Sequence, residues 1–183
     1  MSTTKWALDP THSEIGFKVR HMLVSNVSGH FKQFDATLQT DGDDMSTAKV
    51  HFSADLSSIS TNNEQRDGHL KSNDFFDVAN HPQLTFQSDK LEKVDEENYK
   101  MHGTLTIRGN SKPVTFNVSF GGIVDKDPWG LTRAGFEVTG KINRKDYGVN
   151  FSMLSETGGV MLSEEVSLHA NAEFVKQAEQ QPA

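Results

Sequence analysis

From Glu14 onward the chain alternates apolar and polar residues with a period of two. Ile15, Phe17 and Val19 share one face of a segment whose other face carries Glu14, Lys18 and Arg20, the pattern of a half-buried strand. The period returns in Phe34, Ala36 and Leu38, in Val50, Phe52, Ala54 and Leu56, and in Leu84 and Phe86. Further on it runs through Tyr99, Met101, Gly103, Leu105 and Ile107, then Val114, Phe116, Val118 and Phe120. Phe136, Val138, Gly140 and Ile142 follow, and Val166, Leu168, Ala170, Ala172 and Phe174 close the series. Asp41-Gly42 and Gly109-Asn110 supply turn signals, and Pro113 stands at a strand's beginning, where a missing N–H is tolerated.

One segment departs from this period. Asn62 or Asn63 can cap a helix with Glu64 in its first turn, so a short helix is predicted near residues 62–76, weakened by Gly68. The whole reads as an all-β, about eight-stranded antiparallel barrel, because short polar turns join strands that each have one apolar face. Closure removes two exposed sheet edges; a two-sheet sandwich is the alternative. The 183 residues fit a single domain over residues 1–183, ordered over about residues 5–175 with a frayed polar tail.

Composition narrows the possibilities. With no cysteine, disulfides, zinc-thiolate sites and thiol nucleophiles are excluded. The net charge of -7 with scattered Lys and Arg argues against nucleic acid and against anionic membrane surfaces. No apolar run is long enough to span a bilayer, so stable membrane insertion is not expected. The polar start at Met1 to Leu8 lacks a signal-peptide core and predicts a cytoplasmic location, or a periplasmic one if a leader was removed. The eight histidines fall at positions 12, 21, 30, 51, 69, 81, 102 and 169, without HxH or HExxH spacing, and predict no metal site.

An eight-stranded barrel can fill its interior or hold one small ligand. Ala36, Ala54, Gly103, Gly140, Ala170 and Ala172 share the phase of their bulky neighbours. They either leave a cavity or sit opposite the chain's twelve phenylalanines, and composition allows both.

Several motifs bear on this choice. Trp6-Ala7-Leu8-Asp9-Pro10-Thr11-His12-Ser13 leads into Ile15-Gly16-Phe17-Lys18-Val19-Arg20-His21-Met22 and Val27-Ser28-Gly29-His30-Phe31. Arg66-Asp67-Gly68-His69-Leu70-Lys71-Ser72-Asn73-Asp74-Phe75-Phe76-Asp77 precedes Pro82 and Phe86. Later come Gly103-Thr104-Leu105-Thr106-Ile107-Arg108-Gly109, Lys112-Pro113-Val114 and Gly140-Lys141-Ile142-Asn143-Arg144-Lys145-Asp146-Tyr147-Gly148. In combination and order, from about Trp6 to Phe174, the chain resembles the YceI family of polyisoprenoid-binding proteins. The resemblance implies a lipocalin-like barrel, often dimeric, whose interior tunnel accepts a polyisoprenoid chain.

On that resemblance, Phe17, Val19, Phe52, Phe86, Leu105, Ile107, Phe136, Gly140 and Ile142 are expected to line the tunnel, with Leu70, Phe75 and Phe76 closing one end. Arg20, His21, Arg66 and Arg144 are the candidates to meet a polar head group, and Asp67 and Asp146 to orient them. The alternatives are a solid apolar core and rim charges that pair or cap turns. The expected function is non-catalytic binding, storage or transport of an isoprenoid lipid by a homodimer without cofactor. An enzyme acting at the cavity mouth is the rival, although no GxSxG elbow, phosphate loop or dinucleotide fingerprint is present. A structural or partner-binding domain would instead have a filled barrel.

Overall fold

In the computed structural model, which describes residues 3–21, 25–150 and 162–178, a closed antiparallel sheet dominates. Its strands are β1 (Thr3–Leu8), β2 (Glu14–His21), β3 (Ser25–Phe31), β4 (Phe34–Asp41), β5 (Asp44–Asp55) and β6 (Ile59–Ser60). After helix α1 (Glu64–Lys71) come β7 (Gln83–Lys93), β8 (Asn98–Ile107), β9 (Asn110–Val124), β10 (Arg133–Asn143) and β11 (Leu162–Lys176). The hydrogen-bonded order β1-β4-β5-β7-β8-β9-β10-β11 closes through β11 onto β1, giving an eight-stranded barrel that β2, β3 and β6 extend.

That extension arises where two strands break. β11 pairs β1 at its end, Phe174 opposite Leu8, and β2 along its earlier part, Asn171 opposite Glu14. Between them Pro10–His12 forms a 3-10 turn, capped by Asp9, whose carboxylate accepts from the Thr11 amide at 3.0 Å. Pro10 has no N–H to give to the ladder, so the strand must leave the sheet there. The neighbouring chain breaks at residues 32–33, between β3 and β4. As a result β1 pairs β4 only as far as Ala7–Thr37, and β2–β3 pairing begins at Gly16–His30. Residues 8–15 and 31–36 face one another without a ladder, leaving a gap in the wall.

Alternation along each strand sends Trp6, Leu38, Phe86, Leu105, Phe116 and Phe174 inward, all buried. Trp6, only 2% exposed, donates its indole N–H to Thr40 Oγ1 at 3.1 Å. β1 thus belongs to the core, although its short polar sequence carries no strand signal apart from Trp6. The β8–β9 turn consists of Arg108 and Gly109, both at positive φ and flanked by the pair Ile107–Asn110. It lies one residue earlier than the Gly109-Asn110 expectation, because a two-residue hairpin turn needs both central residues left-handed. Asn63 caps α1 by accepting the Arg66 amide at 3.0 Å. The helix and the turns after it cover the end of the barrel reached by β6, here the upper end.

Candidate ligand-binding cavity

Two chambers lie end to end inside the barrel. The lower, about 150 Å³, is lined by Phe52, Phe86, Leu105, Phe116, Phe136 and Phe174, among others. The upper, about 280 Å³, is lined by Phe17, Val19, Ile107 and Ile142, with Leu70, Phe75 and Phe76 from α1 and the segment following it. Phe31, Leu84 and Leu168 border both and form a waist. Aromatic pairs fix the ring positions: Phe86 meets Phe116 edge-on at 5.3 Å, Phe120 stacks on Phe136 at 5.2 Å, and Phe17 tilts against Phe31 at 5.8 Å.

The small inward residues divide into two groups. Ala36, Ala170 and Ala172 line the lower chamber. Gly103 and Gly140 do not, because a β-carbon at Gly103 would meet the Gln87 carbonyl oxygen and the Phe86 ring, and one at Gly140 the Phe116 ring. Ala54 is packed in the core, 1% exposed. Three alanines therefore leave space, while Ala54 is packed and the two glycines accommodate phenylalanines, so both readings of the small residues hold, at different positions.

The upper chamber has a polar border of His21, Arg66, His69, Arg144 and Tyr147. Arg144 is 5% exposed and donates from Nε to the Ser163 carbonyl at 2.9 Å, from Nη1 to that of Val149 at 2.8 Å and from Nη2 to that of Leu162 at 3.3 Å. Burial draws its pKa below the ordinary guanidinium value, opposed by nearby Glu164. Tyr147 is 1% exposed; burial, assisted by the charge of Asp146, pushes its pKa up to about 12. Arg66 is held by Thr61, donating from Nε to Oγ1 at 2.8 Å and from Nη2 to the carbonyl at 2.7 Å. Asp67 reaches Arg66 indirectly: its Oδ1 accepts from the amide and hydroxyl of the same Thr61. Arg20 and Asp146 are exposed and, like Asp67 and Gly140, border neither chamber.

A separate charged cluster lies where the 3-10 turn of residues 10–12 meets β10 and β11. Asp9, His12 and Glu173 offer donor atoms within 4.8 Å of one another. Arg133 already occupies this cluster, bonding Asp9 at 2.7 Å, Glu173 at 3.0 Å and Asp127 at 2.5 Å. A guanidinium satisfies these carboxylates as an ion pair network.

The chemistry available in the chambers is that of burial. The lower one presents hydrocarbon and ring surface, and the upper one adds donors at one end. Among the described residues no helix is long and apolar enough to cross a membrane.

Comparison with known proteins agrees with this architecture. A UPF0312 protein of Staphylococcus epidermidis is 44% identical over 171 residues, covering 93% of this chain and 97% of its own. The crystallised YceI protein of Campylobacter jejuni is 34% identical, with a TM-score of 0.74 over 87% of this chain and 90% of that one. A polyisoprenoid binding domain from Saccharophagus degradans shares the fold at a TM-score of 0.69 and 17% identity, covering 94% of this chain and 98% of its own. The family model for the YceI-like domain matches residues 6–174, from Trp6 within β1 to Phe174 within β11, and the chain therefore belongs to the YceI-like family.

Proposed function

We propose that this protein binds and carries a long-chain isoprenoid lipid, a polyprenyl phosphate or an isoprenoid quinone, with the hydrocarbon tail threaded through both chambers. The observation that carries this reading is the end-to-end arrangement of two apolar spaces that share Phe31, Leu84 and Leu168 in their walls. Ligand pockets usually span about 300 to 1,000 Å³. Neither chamber reaches that range alone and the two together do, so an extended tail that crosses the waist suits the space better than a compact ligand.

The energetics favour length as well. Each buried methylene contributes about 0.8 kcal/mol, so a ten-carbon tail gains about 8 kcal/mol gross. Lost freedom on association costs about 4 to 15 kcal/mol, which leaves short tails weakly bound and long tails tightly bound. The likeness to the polyisoprenoid binding domain of Saccharophagus degradans points to the same ligand class. The reading extends to a non-catalytic, soluble homodimer acting in the cytoplasm.

Titration of the purified chain with prenols of increasing length tests the proposal. Affinity should rise with each isoprene unit until the chambers are full and then level off. Equal affinity for all lengths, or none for any, would remove it.

A further inference from the structure

We propose that the gap in the barrel wall is a side portal, at which the anionic head group of an amphiphile rests on Lys18 and Lys32 while its tail enters the lower chamber. The inference rests on the lipid-binding reading above and adds an entrance and a head-group chemistry to it. Outside the gap lies an open cleft of about 530 Å³, bordered by β2, β3 and the breaks on either side. Ser13, Glu14, Ile15, Phe31, Phe34 and His169 line both this cleft and the lower chamber, so the two spaces meet across the missing ladder between residues 8–15 and 31–36.

The cleft has the polarity an amphiphile requires. Its threshold is apolar, formed by Ile15, Phe31 and Phe34. Its rim carries Lys18, Lys32, His30 and His169 against a single carboxylate, Glu14, whose Oε1 accepts from Asn171 Nδ2 at 2.9 Å. Among the described residues neither lysine has a carboxylate partner within 4 Å; Lys49 and Lys100 share that state, so what sets Lys18 and Lys32 apart is their place on the rim of the cleft. On a chain of net charge -7, two unneutralised lysines beside an apolar doorway favour a phosphate or carboxylate on a hydrocarbon tail. At the upper end, by contrast, Arg144 and Arg66 are engaged with backbone carbonyls and Thr61.

The test titrates the full chain calorimetrically with farnesyl phosphate, with farnesol and with inorganic phosphate. The double variant Lys18→Gln, Lys32→Gln is compared with a charge-matched control, Lys49→Gln, Lys100→Gln, at exposed positions outside the cleft, and melting curves establish that both are folded. The portal predicts about tenfold weaker binding of farnesyl phosphate by the first variant, unchanged farnesol binding, an unchanged control, and no displacement by inorganic phosphate at equal concentration. An unaffected phosphate affinity, or an equal loss in the control, overturns the portal while leaving the tail-binding reading in place. Displacement by inorganic phosphate at equal concentration overturns it in favour of a free-phosphate site. Failure of wild type to bind either lipid overturns the tail-binding reading itself, and the portal with it.

Discussion

The ring of Phe116 lies over Gly140 in the barrel interior, in the space that a β-carbon on Gly140 would need. The same relationship joins Phe86 to Gly103 and Phe17 to Gly29. In each case a glycine lets an aromatic ring lie against the sheet, which narrows the interior at that level. Gly140→Ala should therefore destabilise the fold by about 1–3 kcal/mol through overpacking. Gly135→Ala, where a β-carbon meets nothing within 4 Å, should change stability by less than about 1 kcal/mol. Urea denaturation measures both, and Phe116→Leu should recover part of the Gly140→Ala loss.

These glycines also explain how far the sequence could be read. Strands with large residues in phase, such as β8 and β9, were legible because burial of one face imposes alternation. β3 was not, since Val27, Gly29 and Phe31 look too sparse for an apolar face until Phe17 is seen to cover Gly29. The inward phase of Gly140 was legible, but whether it faced space or a ring depends on a neighbouring strand. The positions of Arg66 and Arg144 on the border of the upper chamber could be anticipated from the motifs that contain them. Their engagement with Thr61 and with backbone carbonyls could not, because it depends on where the chain after β5 and after β10 turns back. The wall gap was hidden for a similar reason: Pro10 announces one break, but a gap requires the neighbouring strand to break at the same height.

The waist offers a direct test of the two-chamber arrangement. Leu168→Trp should fill the junction between the chambers, so that short prenols retain their affinity while the gain with further length disappears. Isothermal titration against a length series reads this out. A parallel loss at every length would mean that the chambers are not joined at Leu168.

Arg144 is expected to matter for stability. Replacement by Met leaves the carbonyls of Ser163, Val149 and Leu162 without their donor, at a cost of about 1–3 kcal/mol. Denaturation at neutral pH should show a lower midpoint with little change in slope.

Acid sensitivity should centre on Arg133. The Thr11 hydroxyl and then Arg133 hold the Asp9 carboxyl well below its ordinary range, and Arg133, first of all, lowers the pKa of Asp127. A depressed carboxylate pKa contributes stability that is present above the unfolded value, near pH 4, and is lost as pH falls through the folded one. The wild type should therefore lose melting temperature progressively below about pH 4. Arg133→Gln should start lower at pH 7 and fall less steeply over the acid range. Parallel curves would show that this cluster does not set the acid response.

The central claim, a hydrocarbon tail held inside the barrel, is tested most directly by organic extraction of freshly purified protein and mass spectrometry of the extract. A near-stoichiometric isoprenoid is the predicted result. An extract free of lipid, from protein that also fails to take up prenols in solution, would contradict the account.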